Sequence, residues 1–109
     1  MTPAEQLVAL SCWIDAPNAH RDDEAQVWAR IAKVSEEAGE VVAAYIGVIG
    51  QNPRKGVTHT LDDVTDELLD VALTALAAIE HLRGHDGMAF DLLEAKLDRV
   101  ARRAGVLTG

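Results

Sequence analysis

Two pairs of acidic side chains are the residues of this sequence best placed to do chemistry. The first pair is Glu37 and Glu40, which are three positions apart and directly precede a strongly apolar run. Glu67 and Asp70 repeat the spacing on the next predicted helix. Residues three apart lie on one side of a helix, so two antiparallel helices can bring the pairs face to face. Because facing carboxylates repel one another, the spacing predicts a site for a divalent cation, Mg²⁺ or its substitute Mn²⁺.

Asp70 is the acid whose sequence surroundings fit an ordinary surface position least well. Leu68 and Leu69 precede it, apolar residues follow it, and no Lys or Arg lies three or four positions away. A buried, unpaired carboxylate is costly unless it binds a cation or takes up a proton. The alternative is that the acids lie on solvated helix faces, with Glu37 paired to Lys33 one turn earlier.

The elements that must position these acids are helices, and the sequence predicts an all-α fold without a sheet. The predicted helices run from about Pro3 to Ile14, Asp23 to Ile49, Thr60 to Arg83 and Gly87 to Arg103. Thr60 followed by Asp63 is typical of a capping box, and Gly50 is a typical helix end. The chain is predicted to form one domain spanning residues 1–109.

The apolar pattern predicts that one chain does not complete its own core. The second helix has an apolar stripe at Val27, Ile31, Val34, Ala38, Val41, Tyr45 and Val48. Residues 68–79 are apolar on every side except at Asp70 and Thr74, and residues 41–49 are almost as apolar. A helix that is apolar all round must be covered by protein. We therefore expect a homodimer or homotetramer that completes the core of the bundle.

Composition and charge narrow the class of protein. The net charge of −8 makes generic nucleic-acid binding unfavourable, since phosphate backbones are also negative. Cys12 is the only cysteine, so a zinc site built from several cysteines is excluded. Neither a signal peptide nor an uncharged apolar run of about 20 residues is present, so we expect a cytoplasmic protein without a membrane partner.

The acidic segments resemble the MazG-like family of all-α nucleotide pyrophosphohydrolases. Its hallmark is ExxE, often written EExxE, followed after a variable gap by ExxD. This chain has EEAGE at Glu36–Glu40 and ELLD at Glu67–Asp70, and the resemblance extends roughly from Trp28 to Leu82. It implies a four-helix bundle that hydrolyses a nucleoside triphosphate, or its deoxy form, between the α- and β-phosphates. The products are the monophosphate and pyrophosphate.

The resemblance also assigns roles to individual residues. It implies that Mg²⁺ is held by Glu37, Glu40, Glu67 and Asp70. Glu36 is rotated about 100° from Glu37 around the helix and is a candidate base for the attacking water. Cationic or polar candidates for the substrate are Lys33, Asn52, Arg54, Lys55, Lys96, Arg99 and Arg103. A solvated basic turn and an ordinary charged helix face are the alternatives for the loop and for the fourth helix.

Other interpretations of the same pattern remain open. Candidates for contact with a base are Trp13, Trp28, Tyr45 and Asn52, although Trp28 and Tyr45 also fit the core stripe. A non-catalytic helical dimerisation or regulatory module is an alternative of a different class. A related hydrolase acting on phosphoribosyl-ATP or dUTP is another. A di-iron bundle is disfavoured, because His81 lies too far along its helix from Glu67 and Asp70 to share a metal.

Overall fold

The fold is all-helical. The computed structural model describes residues 1–107, and within this range it contains four α-helices and no strand. Helix α1 is Pro3–Asp15, followed by a 3₁₀ turn at Ala16–Asn18; α2 is Asp23–Ile49, α3 is Leu61–Leu82 and α4 is Ala89–Arg103. The predicted helices and the all-α class are therefore confirmed.

Local capping explains where the helices begin and end. Thr60 and Asp63 form the predicted capping box at the start of α3, with each side chain bonded to the other residue's backbone. Gly50 ends α2 in the left-handed conformation, with φ of 64°. Helix α4 begins at Ala89, two residues later than predicted, because the backbone N–H groups of Gly87 and Ala89 bind the carboxylate of Glu80 instead.

Helices α2 and α3 form an antiparallel hairpin that is the main packing unit. Their covered residues recur every seven positions, as in a coiled coil. On α2 they are Val27, Val34, Val41 and Val48, together with Arg30, Glu37 and Ala44. On α3 they are Val64, Val71 and Ala78, together with Glu67, Thr74 and His81. One apolar row and one largely polar row thus run along the contact.

The predicted stripe on α2 was wrong at three positions. Ile31 is 49% exposed, Tyr45 is 48% exposed, and Ala38 is also exposed. The covered side chains on α2 instead include Glu37, Ala44 and Arg30, the last of which bonds to Ser11 and Asp15 of α1. Apolar periodicity missed this face because two of its residues are charged, and a charged residue is normally assigned to the solvent side.

Gly47 fixes how closely the connecting loop returns to α2. Its carbonyl oxygen accepts the N–H of Thr58 at 2.9 Å, and a Cβ on Gly47 would overlap the side chains of Thr58 and His59. Only a residue without a side chain allows this approach. The contact holds the start of α3 against the end of α2 and so contributes to the register of the hairpin.

Helix α1 packs across the C-terminal half of α3. The small apolar core consists of Leu7, Leu76, Ala77 and Ala89, with Ile79 and Phe90 packed against it. This core joins α1, α3 and the beginning of α4. It lies towards the end of the hairpin away from the connecting loop, and much of the hairpin surface is not covered by it.

The single chain is open. Its radius of gyration is 17.1 Å, whereas a compact domain of this length has about 13 Å. Its accessible surface is 7711 Å², against about 5,900 Å² for a compact monomer of its mass.

Leu68 and Leu69 are 53% and 57% exposed, and Asp70 is exposed beside them. The expectation that Asp70 is buried was therefore wrong for the single chain, because nothing covers this side of α3. Among residues 1–107 no helix is long and apolar enough to cross a membrane.

Candidate metal and nucleotide site

The register of the α2–α3 hairpin brings three carboxylates together. Oxygen atoms of Glu37, Glu67 and Asp70 all lie within 4.8 Å of one another. Glu37 and Glu67 are covered positions on the facing sides of α2 and α3, and Asp70 follows one turn later at the exposed edge. The site therefore has two partly covered acids and one that is open to solvent. Three of the four acids predicted from the sequence are in this carboxylate cluster.

The fourth predicted acid, Glu40, lies beside the cluster rather than in it. It is exposed on α2 and is not one of the three residues whose oxygens meet. It is still close enough for its charge to raise the pKa of Glu67. Glu40 therefore adds negative potential to the site, and it is one helical turn beyond Glu37, towards the connecting loop.

The negative charges of the acids in and beside the cluster repel one another. Partial burial raises the pKa of Glu67 above its ordinary value, and repulsion from Asp70, Glu40 and Glu37 raises it further. Partial burial and the neighbouring negative charges therefore both raise the pKa of Glu67. A cation placed among these oxygens would relieve both effects, and an all-oxygen donor set suits Mg²⁺ or Mn²⁺.

Lys33 is the cation next to the cluster. Its Nζ lies 3.0 Å from Glu36 Oε1 and 3.6 Å from Glu37 Oε1. The hydrogen bond to Glu36 is the main cause of the raised pKa of Lys33, with further contributions from the charges of Glu36 and Glu37. The Glu36 side chain is 61% exposed, so it is turned towards solvent rather than into the cluster. Lys33 therefore connects a covered carboxylate with an exposed one.

A cavity of about 550 Å³ extends from the cluster along the groove between α1, α2 and α3. Glu37, Asp70 and Lys33 line one end of it. Its walls are mainly apolar and include Leu10, Trp13, Ile14, Leu73 and Ala77; its other polar residues are Asp15, Asn18, Arg21, Gln26, Arg30 and Thr74. A cavity of this size is typical of sites for small organic ligands.

The other predicted substrate residues lie elsewhere in the single chain. Asn52, Arg54 and Lys55 are in the loop after α2, which begins about 18 Å along the helix from Glu37. Lys96, Arg99 and Arg103 are exposed on α4. None of these six residues lines the cavity. Of the aromatic candidates only Trp13 lines it, while Trp28 is 64% exposed and is not in the core stripe.

A second polar cluster, not predicted from the sequence, lies at the C-terminal end of α1. Asp15 accepts a hydrogen bond from Arg30 at 2.8 Å through Oδ1, and its Oδ2 lies 2.7 Å from His81 Nδ1. Partial burial opposes ionisation of Asp15, but the hydrogen bonds from His81 and Arg30 outweigh it and hold the pKa of Asp15 below its ordinary value. Arg30 also donates to the Ser11 backbone oxygen at 2.7 Å. The network joins α1, α2 and α3.

A sequence signal for part of this second cluster did exist. His81 and His85 are four positions apart, a spacing that can place two imidazoles on the same side of the chain. Asp15 had no comparable signal, because it is 66 residues from His81 and meets it only through the packing of α1 on α3.

Comparisons of the chain with protein-family models, with curated proteins and with solved structures give no significant match.

Proposed function

We propose that this protein is a Mg²⁺-dependent nucleoside-triphosphate pyrophosphohydrolase of the MazG-like type. The observation that supports it best is the meeting of Glu37, Glu67 and Asp70 at one end of a cavity of about 550 Å³. A carboxylate cluster alone is common on protein surfaces. A cluster that opens into an apolar groove of nucleotide size supports a cation site beside a site for an organic ligand.

The donor set fits magnesium. All three groups are carboxylates, and the pKa of Glu67 is raised by partial burial and then by repulsion from the neighbouring acids, both of which a divalent cation would offset. Glu37, Glu67 and Asp70 would hold the metal, and Glu40 would contribute as a further ligand or as nearby negative charge. When bound, Mg²⁺ supplies charge neutralisation for the phosphates and lowers the pKa of water.

The chain's own side chains would then bind and orient the triphosphate. Lys33 lines the cavity next to Glu37, so its ammonium group can donate to a phosphate oxygen and offset negative charge on the departing pyrophosphate. Glu36 accepts a hydrogen bond from Lys33 and is the candidate to accept the proton of the attacking water. Lys33 lies at the same end of the groove as Glu37, and Glu36, whose side chain faces solvent, is joined to it by the hydrogen bond to Lys33.

The nucleoside would occupy the apolar part of the groove. Trp13 is 72% exposed and lies at the cavity wall, where its ring can stack on a base. Arg21 lines the cavity, and among residues 1–107 its side chain forms one hydrogen bond, the donation from Nε to Asn18 Oδ1 at 3.0 Å. The rest of its guanidinium is therefore placed to donate to a sugar, base or phosphate oxygen.

Oligomerisation is part of the proposal. The excess surface of the single chain and the exposed Leu68 and Leu69 beside Asp70 support a homodimer or homotetramer. A second chain packed on this side of α3 would cover the open edge of the carboxylate cluster. Exclusion of water there would strengthen the attraction between the carboxylates and the cation.

The test is release of pyrophosphate from a panel of nucleotides in Mg²⁺, with dUTP and phosphoribosyl-ATP included. We expect at least one substrate to give monophosphate and pyrophosphate. Asp70→Asn should lower kcat by about 100-fold or more. Glu94→Gln, which removes an exposed acid on α4, is the matched control and should retain full turnover. Retention of full turnover by Asp70→Asn would contradict the proposal.

The exposed apolar surface favours a second candidate, a non-catalytic helical dimerisation or regulatory module. In that case the chain would associate and bind Mg²⁺, but no nucleotide of the panel would be turned over. Phosphoribosyl-ATP or dUTP as the preferred substrate would instead identify one of the related hydrolases.

A further inference from the structure

A cluster of two histidines and one aspartate lies apart from the carboxylate cluster. Nitrogen atoms of His81 and His85 and an oxygen of Asp15 are all within 4.8 Å of one another. We propose that this histidine–aspartate cluster binds one transition-metal ion, of which Zn²⁺ is the representative. The proposal does not depend on the proposed function, because it concerns a different set of ligands.

The distances in the cluster are close to those around a tetrahedral ion. His81 Nδ1 lies 2.7 Å from Asp15 Oδ2, and His85 Nε2 lies 3.4 Å from the same oxygen. With metal–ligand bonds of about 2.0–2.1 Å, tetrahedral ligands are about 3.3–3.4 Å apart. The His85–Asp15 distance already matches this spacing, whereas the His81–Asp15 hydrogen bond must give up its proton and lengthen by a fraction of an ångström to admit an ion. Two imidazoles and a carboxylate are donors that suit Zn²⁺, Co²⁺ or Ni²⁺ rather than Mg²⁺.

The backbone holds both histidines in place. His81 is in the last turn of α3, whereas His85 lies beyond the helix end with φ of 63°. It is the only non-glycine residue with positive φ among those described, and its N–H donates to the Glu80 carbonyl at 2.8 Å. A non-glycine residue in this conformation is strained and points to a local function. Here that conformation accompanies the meeting of His85 with Asp15 and Ser11.

Neighbouring groups already orient the ligands. Arg30 donates to Asp15 Oδ1 at 2.8 Å and leaves Oδ2 directed at the histidines. The hydroxyl of Ser11 lies 2.9 Å from His85 Nε2, and it donates to the Ala77 carbonyl at 3.1 Å. Ser11 Oγ also accepts a hydrogen bond from Arg30 at 3.0 Å, so a water rather than the serine oxygen would complete four-coordination. The bond from Arg30 to Asp15 Oδ1, the oxygen that does not face the histidines, is of the kind that orients metal-binding carboxylates.

All three ligands are partly covered. The exposed fractions of the side chains are 21% for Asp15, 14% for His81 and 23% for His85. The site is shielded enough to order its ligands, and it remains accessible to an ion from solvent. A bound ion would link the C-terminal end of α1 to the C-terminal end of α3 at the wall of the cavity that Asp15 also lines.

Zn²⁺ binding tests the proposal, measured by competition with a chromogenic chelator. The background is the Glu67→Gln/Asp70→Asn double variant, which removes the carboxylate cluster as a competing site. We expect this variant to bind one equivalent of Zn²⁺, and Co²⁺ to give the visible absorption of a tetrahedral complex. Adding His85→Asn should weaken Zn²⁺ binding at least about tenfold. Asparagine is chosen because it tolerates positive φ.

The control is His20→Asn in the same background, since His20 is exposed and outside the cluster. His81→Gln is the second test variant, and circular dichroism checks that each variant is folded. Zn²⁺ should raise the melting temperature of the background and of His20→Asn, and not that of His85→Asn. The proposal would be overturned if the background bound no Zn²⁺, or if His85→Asn and His81→Gln each bound Zn²⁺ as tightly as the background. Either result would leave a purely hydrogen-bonded network.

Discussion

The carboxylate of Glu80 in α3 caps the first turn of α4 through the backbone N–H of Ala89. The distance from Ala89 N to Glu80 Oε2 is 2.8 Å, and the second oxygen accepts the N–H of Gly87 at 2.9 Å. Glu80 is 1% exposed and Ala89 is fully buried. Because the N-cap residue Met88 makes no side-chain bond, Glu80 takes over its role from another helix.

Glu80→Ala should therefore destabilise the protein by about 2–3 kcal/mol, since two backbone donors would lose a charged acceptor. Urea denaturation measures the free energy of unfolding. Glu80→Gln retains one acceptor oxygen and should lose less than Glu80→Ala. A change below about 0.5 kcal/mol in Glu80→Ala, the range of ordinary surface substitutions, would contradict this cap.

Glu67→Gln should stabilise the metal-free protein at neutral pH. The pKa of Glu67 is raised in the fold, so its contribution favours folding at low pH and is lost as the pH rises through the raised pKa. The melting temperature in EDTA should thus be higher for Glu67→Gln than for the parent at pH 7. The difference should shrink as the pH falls through the raised pKa of Glu67. A difference that stays constant or grows towards acid would show that repulsion at Glu67 is absent.

Mg²⁺ should reverse the order of these two proteins. At 100 times its dissociation constant, a ligand that binds only the folded state stabilises it by about 2.7 kcal/mol. We expect Mg²⁺ to raise the melting temperature of the parent protein much more than that of Glu67→Gln. Equal shifts in both would place the cation away from the carboxylate cluster.

Lys33→Gln should lower kcat/KM by about 10- to 100-fold, the equivalent of one lost charge-assisted hydrogen bond to phosphate. The effect on stability should be below about 1 kcal/mol, because the Lys33 side chain is 49% exposed and its shorter ion pair is to the exposed Glu36. Arg83→Gln is the matched control, since Arg83 forms an exposed ion pair with Asp86 and does not line the cavity. Steady-state kinetics separates the two, and equal activity in both variants would remove Lys33 from the substrate site.

Leu69→Glu should convert the oligomer to monomers and reduce turnover. Leu69 is 57% exposed next to Asp70, so a charge there opposes burial between chains. Light scattering should give at least twice the 11.7 kDa chain mass for the parent and one chain mass for the variant. Val57→Glu, at a 71% exposed loop residue, is the control. A parent protein that is monomeric at the assay concentration would contradict the predicted association.

Helix positions were predictable because their signals are local. Thr60 and Asp63 are within one turn of each other, and Gly50 acts on the helix that it ends. The spacing within each acidic pair was equally local. Which residues face the partner helix was less predictable, because Arg30 and Glu37 occupy covered positions that an apolar pattern assigns to valine or leucine. Glu40 shows the same limit: it shares a helix side with Glu37, but only the packing register decides which of them meets Glu67.

The meeting of Asp15 with His81 shows what sequence alone could not supply. The two residues are on helices separated by most of the chain, and their contact depends on where α1 crosses α3. At that crossing the hydroxyl of Ser11 in α1 donates to the carbonyl of Ala77 in α3. No periodicity within α1 marks Asp15 as different from the other acids of this chain.

The hydrogen bond from Thr58 N–H to the Gly47 carbonyl acts as a clamp between the tip of the connecting loop and the two helices. Insertions in the tip should be tolerated better than insertions between the clamp and α3. Beyond that clamp, residues 51–56 form a self-contained turn, in which the Asn52 carbonyl accepts the N–H groups of Lys55 and Gly56. Lengthening this tip should leave the alignment of Glu37 with Glu67 intact, because the clamp lies between the tip and the acids. The tip is therefore the natural place to graft an epitope or a fluorophore without disturbing the rest of the molecule.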